Sequence, residues 1–249
     1  MPISDAAGLA LLRSDWPAPA RVRAAVTTRT GGVSLGPWAS LNLAAHVQDD
    51  PAAVAENRRR LGAGLALPAE PLWLTQVHGT VIAGADNVPG CEADGSYADR
   101  PGVVCAVLTA DCLPVLLCDR NGGEVAAVHA GWRGLAGGVI EAALDRFTAA
   151  PGDILAWLGP AIGPHAFEVG DEVRDAFVAD NAAAAAAFRA ARPGHWLADL
   201  YSLARLRLAR RGVTAVYGGG LCTYTDAERF YSFRREPVTG RMASLIWID

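Results

Sequence analysis

The stretch ADCLPVLLCDRNGGEVAAVHAGWRG, residues 110–134, decides how this chain reads. Two apolar runs, 113–118 (LPVLLC) and 124–129 (EVAAVH), flank Asp119-Arg120-Asn121-Gly122-Gly123. Asn-Gly in a short connection between apolar runs predicts a β-hairpin. Pro114 stands near the start of the first strand, where a missing N–H is tolerated. Pairing Cys118 with Glu124 sets His129 opposite Leu113 and Cys112 opposite Ala130. Cys112 and His129 then become near neighbours, and a one-residue shift would make them direct partners, with Cβ atoms about 4.5–5.5 Å apart. From that spacing a thiol and an imidazole can share one metal or one proton.

Outward from the hairpin, strands and helices interleave. Residues 22–28, 72–77, 103–109, 154–158, 213–217 and 244–248 read as strands. Asp50 is an N-cap with Pro51 at the first helical position, and Val54 and Leu61 lie on the buried face of the helix they open. Gly131-Trp132-Arg133-Gly134 turns into a helix over 135–148, with Val139, Ile140, Ala143, Leu144 and Phe147 on one face. A long helix is expected from Asp171 to Ala191, because the run Ala182–Ala187 is a strong helix former. Another runs from Asp199 to Arg211 and is closed by Gly212. The spacing is not that of a regular βαβ repeat, and neither GxGxxG nor a Walker A sequence occurs. The expected fold is α/β: one domain of mixed strands and helices over residues 1–249.

Composition narrows the function. A formal net charge of −4 and a pI of 5.7 argue against a general nucleic-acid binder, whose footprint is basic. Arg58-Arg59-Arg60 follows a helix start and reads as a solvated face. No basic, apolar leader opens the chain, and no apolar run reaches the ~18 residues of a membrane span. Five cysteines, an odd number, read as reduced thiols of a cytoplasmic protein without membrane partners. Cys105 and Cys118 fit buried apolar positions. Cys112 does not, since it sits where a strand gives way to a loop.

His78, before Gly79 at the end of LWLTQV, occupies the same kind of place. Reactive side chains commonly sit at such strand ends on a rigid frame. His78, Cys112 and His129 admit three readings. They are buried or hydrogen-bonded residues without chemistry; or His129 activates Cys112 as the nucleophile of a thiol hydrolase; or two imidazoles and a thiolate hold zinc with a fourth position open.

Seven stretches carry a resemblance over nearly the whole chain: TTRTGGVSLGPWASLNL (27–43), DDPAAVAENRRRL (49–61), WLTQVHG (73–79), TADCLPVLLCD (109–119), VAAVHAGWRGL (125–135), LGPAIGPHAFEVG (158–170) and FYSFRREPVTGRMASLIWI (230–248). Together they resemble the laccase-domain or polyphenol-oxidase-like family, also called the peptidoglycan editing factor or multifunctional purine nucleoside phosphorylase family. The resemblance implies a layered sandwich with two central sheets, distantly similar to cysteine-hydrolase-like domains. It also implies a metal held by His78, Cys112 and His129, and a zinc enzyme that phosphorolyses adenosine, inosine or methylthioadenosine and deaminates adenosine. Two positions depart from the family's usual pattern: Gly95 in Ala93-Asp94-Gly95, and His165 where Cys is common. His165 reads as a solvent-facing loop residue.

Phosphorolysis needs cationic or N–H partners for phosphate. Arg29, in its Gly-rich turn, and Arg133, at a helix mouth, are the candidates, and the resemblance implies Asn42 as one for positioning substrate. Deamination needs a water activated by the zinc. Glu168 and Asp111 are candidates for proton transfer. Multicopper oxidation fits poorly, with five histidines in total and only Met1 and Met242 for an axial thioether, so copper ranks below zinc. Removal of wrongly incorporated serine from a peptidoglycan precursor is a second hydrolytic role that the family name offers. A non-enzymatic module with a structural zinc is a third class, but it would need a fourth protein ligand.

Overall fold

The computed structural model describes residues 3–6, 8–87 and 89–249; Met1 lies outside them, as does part of the amino-terminal stretch read for a leader. In chain order the elements are β1 (Ile3–Ala6), β2 (Leu9–Leu12), β3 (Val22–Thr27), α1 (Pro51–Leu65), β4 (Ile82–Ala83), β5 (Gly95–Ala98), β6 (Val104–Thr109), β7 (Leu113–Asp119), β8 (Val125–Ala130), α2 (Trp132–Gly137), α3 (Val139–Leu144), β9 (Ile154–Leu158), β10 (Glu168–Gly170), α4 (Asp171–Asp180), β11 (Phe188–Arg192), β12 (His195–Ala198), α5 (Leu200–Arg210), β13 (Ala215–Gly218) and β14 (Met242–Ile248). Among the described residues, no helix is long and apolar enough to cross a membrane.

Two large sheets face each other. One is antiparallel throughout, in the order β1-β2-β3-β14-β6. The other is mixed, β13-β9-β7-β8-β5-β4, with parallel pairs at its two edges. Val26, Val107 and Ile246 of the first interdigitate with Leu116, Val125 and Trp157 of the second. The outer face of the mixed sheet is covered by α2, α3 and α5 through Leu135, Ile140 and Leu203. The outer face of the antiparallel sheet is covered by Leu41, Leu43 and Leu61. This is the expected mixed α/β sandwich. A small sheet, β10-β12-β11, stands beside it. Strands β7 and β8 are buried along their whole length, which is why both read as unbroken apolar runs rather than alternating ones.

The hairpin forms, in a register one residue from the expected one. Cys118 faces Val125, and His129 faces Pro114. The turn closes between Asp119 and Glu124, and the Asp119 carboxylate accepts N–H bonds from Asn121, Gly123 and Glu124. Asp119 therefore belongs to the strand and to the turn at once, and the five-residue connection moves by one, to residues 120–124.

Three other expectations change. Residues 72–77 form no strand, only isolated bridges from Leu72 to Cys105 and from Thr75 to Glu92. The Gln76 side-chain amide takes over the ladder's work, donating to the Leu108 carbonyl and accepting from the Leu108 N–H, each at 2.8 Å. The helix over 135–148 starts earlier, at Trp132, and is cut in two by Gly138 at φ 96°. The helix from Asp171 ends at Asp180. Asn181 is extended, its side chain caps Ala183, and the six alanines make a 3-10 turn. Phe188 then packs on Phe177 and opens β11, which pairs with β12. Alanine's helix preference is a weak prior that tertiary pairing overrides here.

Cys105 and Cys118 are buried as expected. Of the three consecutive arginines, Arg59 and Arg60 pair with Glu56 on the solvent side. Arg58 turns inward, stacks 4.3 Å from the Trp73 ring and donates to the Leu43 carbonyl.

Candidate metal centre

The end of β6, the start of β7 and the end of β8 meet at one edge of the sandwich, beside the loop that carries His78. Asp111 sits between β6 and β7 with φ 96°, a kink that redirects the chain so that Cys112 turns toward β8. His78 also has a positive φ, 61°. Its strained loop is held by Asp94, whose fully buried carboxylate accepts N–H bonds from Val77 (3.2 Å), His78 (2.9 Å) and Gly79 (2.6 Å). The same carboxylate accepts a bond from His129 Nδ1 at 2.8 Å. That contact assigns the proton to Nδ1 and leaves Nε2 for a metal, as in the carboxylate–histidine–metal arrangement.

Cys112 Sγ lies 3.8 Å from His78 Nε2, and the His78 and His129 rings meet edge to face at 4.8 Å. The ligand atoms of His78, Cys112 and His129 all lie within 4.8 Å of one another. Around a tetrahedral ion, with about 2.3 Å to sulfur and about 2.0 Å to nitrogen, such donors stand about 3.5 Å apart. The cluster fits one such ion with a modest contraction. Space is tight: a Cβ on Gly131 would stand 2.7 Å from His78 Cδ2 and 3.1 Å from Cys112 Sγ.

Electrostatics favour a thiolate here. Burial pushes the Cys112 thiol up, but the adjoining His129 charge and hydrogen bonds from both histidines outweigh it and bring it below the ordinary range. Burial pulls His129 down, and the sulfur charge together with the Asp94 bond drive it up past its ordinary value. Asp94 itself is pushed up by burial and held down by His129 and the N–H groups of its loop, with a net downward shift.

The cluster opens on two cavities that meet at Cys112, Ala110 and Phe233. One, of about 210 Å³, is lined by His46, Gln76, His78, Cys112, His129 and Arg241 among others. The other, of about 130 Å³, is more apolar and is lined by Trp132, Ile162, Phe167 and Leu200.

Of the remaining sequence candidates, only Asp111 borders either cavity. Arg29 donates to the carbonyls of Ala39 and Ala227, its guanidinium 4.8 Å from the Tyr231 ring, and does not line either cavity. Asn42 is fully buried and ties Ala44, Asp49 and the Arg241 N–H together. It positions the loop that presents Arg241. Arg133 is exposed, stacks 4.4 Å from the Trp132 ring, and lines an outer depression with Arg192 and His195. The Asp111 carboxylate is occupied by Thr223, Ser232 and the Arg234 N–H. Glu168 pairs with Arg192 on the outer rim, and His165 is exposed. Sequence reading passed over Asp94, Gln76, Phe233 and Arg241. Asp94 carried a signal, an acidic residue just ahead of a strand. Nothing local marked the other three.

Two facing sheets with a His–Cys–His cluster at their shared edge, backed by a buried aspartate, define a layered α/β protein with a candidate metal centre. The chain belongs to the multi-copper polyphenol oxidoreductase laccase family, whose model matches residues 23–249. It is 60% identical over 241 residues to a Pseudomonas aeruginosa protein named purine nucleoside phosphorylase PA4543, covering 96% of this chain and 99% of that one. It is 56% identical over 240 residues to the Escherichia coli purine nucleoside phosphorylase YfiH, covering 96% and 98%. Its structure resembles the crystal structure of Neisseria meningitidis protein NMB0706, with TM-score 0.93, 52% identity and 96% and 99% coverage.

Proposed function

We propose that this chain is a zinc-dependent purine nucleoside phosphorylase that cleaves adenosine, inosine or methylthioadenosine with phosphate and deaminates adenosine at the same site. The observation that carries the reading is the three-donor cluster of His78, Cys112 and His129 opening on a cavity, with Asp94 holding both histidines. The names of the two relatives at 60% and 56% identity support the substrate class.

Zinc takes nitrogen and sulfur donors, and three protein donors with an open position suit a catalytic rather than a structural site. Among the described residues this is the one cluster of its kind, too few imidazoles for several coppers. Met242 is buried and its sulfur accepts from the Tyr231 N–H, so it supplies no axial ligand. When bound, zinc supplies a Lewis acid beside the substrate. The chain's own residues do the rest. Trp132, Phe167 and Phe233 offer apolar and aromatic faces to a purine, while His78, Cys112 and His129 would hold the metal beside them.

The test is metal content of untagged protein, wild type beside Cys112→Ser, with turnover of inosine plus phosphate. About one zinc per chain, lost together with activity in the variant, supports the reading.

The Cys112–His129–Asp94 array favours one second reading, because thiol, imidazole and carboxylate stand in the order of a cysteine hydrolase. Its substrate would be an amide, such as a serine-containing peptidoglycan precursor. Metal-free protein that remains active and is silenced by thiol alkylation would establish that reading and sink the first.

A further inference from the structure

Arg241 shares a cavity with all three candidate ligands, and the phosphorylase reading has not used it. It follows Gly240 at the start of β14 and lines the same 210 Å³ cavity as His78, Cys112 and His129. Its NH1 donates to the carbonyls of Thr239 and Gly240, and its guanidinium lies 5.8 Å from the Phe233 ring. Its backbone N–H is held by the buried Asn42 side chain at 3.0 Å. Among the described residues no carboxylate pairs with it. Arginines such as Arg207 and Arg192, by contrast, have acidic partners. The Cys112 and Asp111 charges act on this partly buried guanidinium without bonding to it, so it keeps donors to spend on an anion.

The positions around Cys112 are ordered. Arg241 stands in the polar cavity, and the apolar cavity of Trp132, Ile162 and Phe167 lies beyond Cys112. A nucleoside with its purine in the apolar cavity would present C1′ near Cys112 and face Arg241 with its open side.

We propose that Arg241 is the phosphate-binding residue of this site, holding the attacking anion opposite the departing base. This rests on the phosphorylase reading. In the step, a phosphate oxygen bonds to C1′, the C1′–N9 bond breaks, its electron pair leaves with the purine, and one of the two protons of dihydrogen phosphate ends on the purine while the other stays on the sugar phosphate. Arg241 supplies charge-assisted hydrogen bonds to the remaining phosphate oxygens.

The experiment compares zinc-loaded wild type, Arg241→Met and Arg241→Lys. It reads the KM for inorganic phosphate, the KM for inosine, and direct calorimetric binding of inorganic phosphate. Arg241→Met should raise phosphate KM about tenfold or more and weaken phosphate binding in parallel, with inosine KM little changed; Arg241→Lys should recover part of both. Far-UV circular dichroism and zinc content confirm that the variants fold and load. If wild type phosphorolyses inosine and Arg241→Met keeps its phosphate KM and phosphate binding, Arg241 does not hold the anion and the phosphorylase reading stands. If wild type neither binds phosphate nor phosphorolyses inosine, both fail together.

Discussion

Asp94 and His129 are joined by a 2.8 Å hydrogen bond from imidazole Nδ1–H to carboxylate Oδ1, deep inside the protein, with both side chains almost wholly shielded from solvent. The other contacts of that carboxylate run to the backbone of residues 77–79. One aspartate thus orients a histidine ring by its side chain and a second histidine by its loop.

Replacing Asp94 with Asn keeps the size and removes the charge. The amide cannot accept all four bonds, and its NH₂ would face donors. Zinc affinity should fall about 10–100-fold, measured by competition against a chromogenic chelator. Unchanged affinity would mean that His78 and His129 are placed by packing alone.

Gly131→Ala tests the closeness of the cluster. The added methyl would press on His78 Cδ2 at 2.7 Å and Cys112 Sγ at 3.1 Å, although φ at this position is an ordinary −63°. Zinc content should drop well below that of wild type while far-UV circular dichroism stays the same. Full loading would show that the two side chains have room to yield.

Glu124 makes stability depend on pH. Burial pushes its carboxyl up, but bonds from the Tyr97 hydroxyl (2.5 Å) and the N–H groups of Thr148 (2.8 Å) and Ala149 (3.0 Å) outweigh this and hold it below 4.5. A carboxyl that titrates lower when folded than when unfolded contributes stability above its unfolded value. That contribution is lost as pH falls through the folded value. Glu124→Gln should cost about 1–3 kcal/mol at neutral pH and flatten the decline in urea-measured stability below pH 4.5. An acid limb identical to wild type would rule this out.

Tyr201 pins the loop under the apolar cavity. Its hydroxyl accepts from the Ala161 N–H (2.9 Å) and lies within bonding distance of the carbonyls of Gly159 (3.1 Å) and Leu221 (2.8 Å). Tyr201→Phe leaves these buried groups short of a partner, for a loss of about 1–3 kcal/mol in thermal or urea unfolding. Nucleoside KM should rise, since Ile162 of that loop lines the cavity, while zinc content holds. A stability loss with nucleoside KM unchanged would separate the loop from substrate binding.

Much of this was legible in the linear order of residues. The apolar runs at 113–118 and 124–129, the Asn-Gly turn and the capped helix after Asp50 are local signals, and each became its element. The candidate ligands were visible because Cys112 and His129 flank a hairpin whose register keeps them within two residues of each other, and because His78 stands before a glycine at the end of an apolar segment. Local rules misled where a distant partner competed. The alanines at 182–187 gave way to pairing between β11 and β12, and Gln76 replaced a strand by bonding its side chain to Leu108.

What the sequence determined by itself was therefore most of the element types, the hairpin, the family and the three candidate ligands, all set by contacts a few residues apart or by whole motifs. What only the tertiary structure decided was their assembly. Asp94 reaches His129 across 35 positions, and Arg241 meets Cys112 from the far end of the chain, because β5 pairs with β8 and β14 with β6. Such contacts leave no periodic trace, since their energy depends on the distance between residues in space and not on their separation along the chain.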